Sequence, residues 1–159
     1  MPKILRATVL ALIAAALSGI QLLSQGPDPL IGTWELNVGK SKYSPGPAPK
    51  SETRTYVVAG ADIKARATGI ANDGKPTTAE WTMNYDGKDR PMPRNPDADT
   101  LSIKSGDAYN AEFTLKRAGK VVITGTRTIS KDGKTMTITA KGTNAKGQTL
   151  DEVEVFERR

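Results

Sequence analysis

The sequence LIGTWELNV, at residues 30–38, decides the fold together with VFER at residues 155–158. Within the first stretch Trp34, Leu36 and Val38 alternate with polar residues, which is the period of two that a half-buried strand requires. Only short strand-like runs and turns lie between the two stretches. We therefore expect an antiparallel sheet that closes on itself with its first and last strands adjacent, because closure removes exposed edges that promote aggregation.

Turn sequences divide the intervening chain into short strands. Asp-Gly pairs at three places are strong hairpin signals, because glycine supplies the positive φ that a tight turn requires. Two Pro-rich segments, residues 40–50 and 90–99, are predicted loops, since proline lacks the N–H that a central strand needs. The predicted strands are residues 32–38, 51–59, 62–71, 78–85, 100–104, 108–117, 120–130, 135–141 and 149–157. Their spacing predicts an all-β fold, an up-and-down antiparallel meander closed into a barrel of about 8–10 strands.

The start of the chain has the features of an export signal. Lys3 and Arg6 precede an apolar segment at residues 7–20, and small residues follow that segment. A positive region, an apolar region and small residues in this order are typical of a secretory signal peptide. We predict a signal peptide, helical in its apolar part, over residues 1–25.

The predicted export has consequences for the rest of the chain. Residues 26–159 are expected to form one β domain without a lipid-modified N-terminal Cys. We expect this domain to be a monomer that is periplasmic or secreted and is not stably inserted in a membrane after cleavage. The alternative is an uncleaved anchor, because the apolar run at residues 7–23 reaches the short limit for a membrane span.

The composition limits the chemistry that the chain can perform. The 159 residues include no His and no Cys, which removes the common nucleophile–base pairs, zinc sites and disulfides. We predict a protein that is not an enzyme, with no catalytic residues, no cofactor and no metal. Asp97 and Asp99 suit the capping of a turn, and the alternative of a calcium site there has few ligands. The net charge of +6 is scattered over turns rather than gathered in a basic stripe, so nucleic acid is not an expected partner.

Several short motifs resemble those of the calycin superfamily, which contains lipocalins and fatty-acid-binding proteins. GTW at residues 32–34 resembles the Gly-x-Trp of their first strand, and VFER at residues 155–158 is similar to the last strand of fatty-acid-binding proteins. RTI at residues 127–129 resembles a hairpin that supplies an inward arginine there. KSKYSPGPAP at residues 40–49 and NPDAD at residues 95–99 are similar to uncharacterised secreted bacterial proteins with a lipocalin-like domain. The resemblance implies a lipocalin-like β-barrel and brings no established function.

The chain also departs from the fatty-acid-binding pattern. A Pro-rich loop at residues 40–50 stands where that family inserts two short helices, so a helical lid is not expected. The carboxylate-binding Arg-x-Tyr of the family aligns with Glu154-Val155-Phe156, which has neither the charge nor the hydroxyl. Fatty-acid specificity is therefore not carried over.

Alternation along the strands predicts which side chains face the interior. Small residues on these apolar faces favour a cavity, and the alternative is a filled core. Gly32 and Trp34 are expected to form a structural plug at one end of the barrel. The candidate ligand-binding residues are Arg54, Tyr56, Trp81, Met83, Tyr85, Tyr109, Phe113 and Arg127. The register of residues 51–58 and 149–157 stays open, because a shift of one residue exchanges the two faces.

Alternation predicts that Arg127 faces the interior, on the same face as Ile123, Gly125 and Ile129. A buried guanidinium needs an acceptor, because an unpaired charge costs several kcal/mol. The candidate acceptors are a ligand anion and Glu154. Alternatively, the guanidinium packs over Trp34 at the closed end.

Two functions of different classes fit these features. The first is an exported, non-enzymatic protein that binds or carries a small hydrophobic or amphipathic ligand inside the barrel. The second is a structural or interaction module of the cell envelope with a filled barrel and no small-molecule ligand. An interior void separates them, because a carrier needs one.

Overall fold

The computed structural model describes residues 27–159, so the predicted signal peptide lies outside the described residues. A single turn of 3-10 helix occupies Val38–Lys40, and all other regular elements are strands. The strands are β1 (Gly32–Leu36), β2 (Ser51–Ala59), β3 (Asp62–Ile70), β4 (Pro76–Met83), β5 (Arg90–Pro91), β6 (Thr100–Ser105), β7 (Asn110–Arg117), β8 (Lys120–Ile129), β9 (Thr135–Thr143) and β10 (Thr149–Arg158).

All ten strands form one antiparallel sheet with the order β4-β3-β2-β1-β10-β9-β8-β7-β6-β5. The first and last strands pair directly, with Trp34 opposite Arg158 and Leu36 opposite Phe156. The predicted up-and-down antiparallel barrel is therefore confirmed, including the contact between its two ends.

The barrel is nearly closed, because β4 and β5 face each other across a seam without forming a ladder. One end of this seam is tied by the backbone N–H of Gly87, which donates to the carbonyl of Ile103 at 2.9 Å. Asp86 and Lys104 form an isolated bridge beside it. These contacts join the segment after β4 to β6, beside the seam.

Some strand boundaries differ from the sequence prediction. The first strand ends at Leu36 rather than Val38, because Asn37 starts the 3-10 turn and accepts a hydrogen bond from the Lys40 N–H through its side chain at 3.1 Å. The predicted loop at residues 90–99 begins with β5, a strand that the prediction missed. Pro91 is tolerated there because β5 is an edge strand with one free side.

The Pro-rich loop at residues 40–50 covers the part of β10 that the short β1 leaves unpaired. Lys42 bridges to Val153, and the Ser44 carbonyl accepts the Asp151 N–H at 2.7 Å. The loop therefore continues the sheet without proline having to donate a hydrogen bond.

The two ends of the barrel differ in packing. At one end, which we call the closed end, the largest fully buried side chains meet; they are Leu30, Trp34, Ile129, Met136 and Phe156. The Trp34 indole N–H donates to the Leu30 carbonyl at 2.8 Å, and the Arg158 guanidinium lies 4.3 Å from the centre of a Trp34 ring. Antiparallel strands place the loops at residues 40–50 and 92–99 and the hairpin at residues 143–149 at the other end, which we call the open end.

Candidate functional site

A cavity of about 210 Å³ lies inside the barrel, so the interior is not completely filled. Its wall is mainly apolar, with charged side chains at a few positions. Among the predicted site residues, those that line it are Arg54, Tyr56, Trp81, Met83, Phe113 and Arg127. Tyr85 lies behind the cavity and contacts Arg127, whereas Tyr109 lies elsewhere, with the Lys131 ammonium 3.9 Å from its ring centre.

The structure resolves both registers that the sequence left open. Tyr56 is buried while Val57 is 47% exposed, so Arg54 shares the inward face of β2; Val58, which the same alternation groups with Tyr56, is 67% exposed near the end of the strand. On β10 the buried residues are Leu150 and Phe156, which puts Glu154 and Glu152 on the same inward face. The alternative that placed Val153 and Val155 inside is wrong.

Glycine at one position shapes the cavity wall. Gly125 on β8 faces the ring of Phe113 on the neighbouring β7, and a Cβ at this position would overlap that ring and the Thr139 carbonyl. The missing side chain leaves room for the Phe113 ring at this point of the cavity wall.

Arg127 lies inside the barrel and is 6% exposed. Its Nη2 donates to the Tyr85 hydroxyl at 2.8 Å, and that hydroxyl donates to Oδ2 of Asp28 at 2.8 Å. Burial raises the pKa of Tyr85 to about 12, with the Arg127 charge acting against the rise. The Nε of Arg127 is buried and has no hydrogen-bond partner among the described residues. Arg127 thus lines the cavity with a guanidinium that has one buried donor without an acceptor among the described residues.

Neither protein partner expected for Arg127 is observed. Ile138 lies opposite Arg127 on one side and opposite Glu154 on the other, so the two charged residues are separated by a whole strand. The cation over Trp34 is Arg158. Arg127 instead reaches Tyr85 on the chain segment after β4, a contact that forms only when the barrel closes.

Glu154 pairs with Arg54. Nη2 of Arg54 lies 2.9 Å from Oε2 of Glu154, and its Nε pairs with Glu52. The guanidinium carbon lies 4.6 Å from the ring centre of Phe156, which supports this position by a cation–π contact. Burial raises the pKa of Glu154, although Arg54 acts against the rise. The positive charge of Arg54 is thus shared by two carboxylates.

Glu152 lies on the same face of β10, nearer the open end, and has no such partner. It is half-buried and forms no ion pair or side-chain hydrogen bond with any residue that the structure describes. Burial raises the pKa of Glu152 to about 7, and repulsion by Glu154 and Asp97 adds to the rise. The open end of the cavity therefore carries an excess of carboxylates.

Sequence reasoning missed the residues at the open end. The period of two along β10 places Glu152 on the same face as Phe156. The sequence did not show which face of β10 is inward, so Glu152 was not recognised as an interior residue. Asn95 and Asp97 line the cavity because the loop at residues 92–99 folds over it, and no strand period indicates such a loop. The Ala145 N–H holds Oδ1 of Asp97 at 2.7 Å and ties this loop to the hairpin beside it.

Residues 27–159 contain neither a cluster of metal-ligating side chains nor a membrane-spanning helix. No group of three or more acidic, His or Cys side chains in this part of the chain is placed to hold a metal ion. No helix within the same residues is long and apolar enough to cross a membrane.

Comparisons with known proteins were made for the sequence and for the fold. No protein-family model and no curated protein sequence matches the chain. Among solved structures, zebrafish ileal bile acid-binding protein complexed with cholic acid is 15% identical, with 82% of this chain and 99% of that chain covered and a TM-score of 0.49. The siderocalin Ex-FABP is 12% identical, with 82% and 74% covered and a TM-score of 0.37. A redesigned β-barrel, mFAP1, bound to DFHBI, is 16% identical, with 82% and 95% covered and a TM-score of 0.42.

Because all three TM-scores are below 0.5, the assignment of the fold rests on the strand order of this chain. That order is a simple meander whose last strand returns to pair with the first. The chain folds as a ten-stranded up-and-down antiparallel barrel. In this barrel the cavity, Arg127 in its wall and the unpaired carboxylate of Glu152 form the candidate site.

Proposed function

We propose that this barrel is an exported, non-enzymatic protein that binds a small amphipathic ligand in its cavity. The single observation that supports the proposal most strongly is the mainly apolar cavity of about 210 Å³ with the buried guanidinium of Arg127 in its wall. The Nε–H of Arg127 lacks an acceptor among the described residues, which costs about 1–3 kcal/mol, and a ligand oxygen beside the guanidinium would offset part of that cost. Arg127 is therefore the proposed anchor of the ligand.

The size of the cavity limits the ligand. An apolar cavity of about 150 Å³ accommodates benzene, whereas drug-sized ligands occupy pockets of about 300–1,000 Å³. The cavity of about 210 Å³ lies between these values. It suits one ring with a short chain, or an aliphatic body of similar volume, with an oxygen at one end.

The remaining parts of the proposal rest on sequence features. Export rests on Lys3, Arg6 and the apolar segment at residues 7–20. The absence of catalysis rests on the lack of His and Cys in the whole sequence. N-terminal sequencing of the secreted protein tests export, and we expect it to begin between Gly19 and Pro27.

Isothermal titration calorimetry with two probes tests ligand binding. We expect 4-propylphenol and 3-phenylpropionate to bind the purified protein, and Arg127→Met to weaken 3-phenylpropionate at least tenfold, because its carboxylate is the better acceptor. Lys64→Met is the matched control, since Lys64 is an exposed cation on the outer wall. Failure of both probes to bind the wild-type protein would contradict the proposal, and native mass spectrometry of protein from its host would then look for a retained ligand.

A further inference from the structure

This inference extends the proposed ligand-binding function. We propose that the ligand also carries a primary amine, whose ammonium group binds Glu152 at the open end of the cavity. The ligand class is therefore a small amine with an apolar body and a second, oxygen-bearing end that reaches Arg127.

The charges that line the cavity do not balance at its open end. Arg54 is held by Glu52 and Glu154, so its charge is already engaged. Glu152 lines the same cavity and receives no cation. The charged groups that act on Glu152 are Glu154, Asp97 and Arg54, of which two repel its negative charge. An entering cation relieves this repulsion and gains a partner in a partly desolvated position.

The second observation is the buried donor at the other side of the same cavity. Arg127 lines the cavity, is 6% exposed and has no acceptor for its Nε among the described residues, so the cavity wall holds an incompletely satisfied cation as well as an unpaired carboxylate. A neutral apolar ligand satisfies neither group, and an anion alone leaves Glu152 unpaired. A ligand with an acceptor at one end and an ammonium at the other satisfies both.

The register gives the separation that the ligand spans. Gly125 on β8 lies opposite Ala140 on β9, and Ala140 lies opposite Glu152 on β10. Arg127 lies two residues after Gly125 on β8. Two strand spacings across the sheet and two residues along the strand therefore separate the backbones of Arg127 and Glu152 by roughly 12 Å. Both side chains point into the cavity and shorten this distance. A ring with a chain of a few carbons covers the remainder.

A metal ion is a poorer occupant than an amine. Hard divalent cations require several oxygen ligands, and the described residues place no group of three or more suitable side chains together. An ammonium has three donors and needs only one carboxylate for its charge. The single free carboxylate of Glu152 therefore fits an amine.

Calorimetry with a matched pair of probes tests the inference. The pair is 4-(3-aminopropyl)phenol and 4-propylphenol, which share the ring, the hydroxyl and the chain and differ only in the amine. At pH about 8, where Glu152 is ionised, we expect the amine to bind at least tenfold more tightly. Glu152→Gln is expected to abolish this preference, so that the two probes bind within about twofold of each other. Glu80→Gln is the control, because Glu80 is exposed and pairs with Lys64 and Arg66 on the outer wall.

The pH dependence of the wild-type protein gives a readout that needs no variant. The preference for the amine is expected to fall as the pH drops through about 7, because Glu152 takes up a proton, while the affinity for 4-propylphenol stays constant. Equal binding of both probes at high pH overturns this inference and leaves the proposed function intact. Binding of neither 4-propylphenol nor 3-phenylpropionate overturns the proposed function. If the Glu152→Gln variant still binds the amine more tightly than 4-propylphenol, the assignment of the ammonium group to Glu152 is overturned.

Discussion

The closed end and the open end of the barrel are built from the same strands but satisfy their polar groups in different ways. At the closed end Arg158 donates to the Ile31 carbonyl at 2.9 Å and covers Trp34, so its hydrogen bonds go to backbone acceptors. Further into the cavity, Arg54 lies over Phe156 and is shared by two carboxylates, and nearer the open end Glu152 has no partner among the described residues. The closed end is therefore built for packing, whereas the cavity that leads to the open end retains charge and volume at a cost in stability.

Truncating Trp34 is expected to have the largest effect. Trp34→Ala removes a fully buried ring and its hydrogen bond to the Leu30 carbonyl, so the free energy of unfolding should fall by about 3–5 kcal/mol. Urea denaturation followed by far-UV circular dichroism measures the loss. Trp81→Ala at the partly exposed cavity wall is the comparison, and an equal loss there would remove the distinction between the two ends.

Removing the Arg54 cation tests whether it and the carboxylates that pair with it depend on one another for stability. Arg54→Met leaves Glu154 buried without its ion pair, and the expected loss is about 2–4 kcal/mol. The double variant Arg54→Met/Glu154→Gln should recover part of that loss, because Glu154 then carries no unpaired charge and only Glu52 is left without its cation. A strictly additive double-mutant cycle in chemical denaturation would show that the pair contributes nothing.

Filling the space beside Phe113 tests the wall of the cavity. Gly125→Ala places a Cβ against the Phe113 ring and the Thr139 carbonyl, and we expect a loss of about 1–3 kcal/mol in thermal or chemical unfolding. Gly39→Ala is the control, because the closest atom to a Cβ there is the Asn37 side-chain oxygen at 3.6 Å. Unchanged stability of Gly125→Ala would mean that the ring moves freely into the cavity.

Neutralising Glu152 should give a small gain rather than a loss. The pKa of Glu152 is raised to about 7 in the folded protein, so its carboxyl supports folding below its unfolded pKa and loses that support as the pH rises through about 7. Glu152→Gln should therefore stabilise the ligand-free protein by about 1–2 kcal/mol at pH about 8, after allowance for its half exposure. Thermal melts across the pH range measure this, and the gain should disappear at pH about 4. A destabilised variant at high pH would show that Glu152 has a structural partner.

The sequence predicted the closure of the barrel from its two ends. GTWEL at residues 32–36 and VFER at residues 155–158 do form adjacent strands, and the Asp-Gly sequence at residues 132–133 does join two of them. These features were predictable because a turn and the period of two depend on neighbouring residues along the chain. Alternation likewise placed Arg127 with Ile123 and Ile129, and all three are buried.

The tertiary structure alone decided which charged groups meet. Tyr85 joins Arg127 to Asp28 across residues that are far apart in sequence, and Arg54 reaches Glu154 over Phe156. Alternation defines two faces of a strand but not which face is inward, so the register of β2 and β10 had to come from packing around Tyr56 and Phe156. The sequence by itself therefore determined a closed antiparallel barrel with an inward arginine. The cavity, its buried cation and its unpaired carboxylate arise only on closure, because they depend on distances between strands that are not neighbours in sequence.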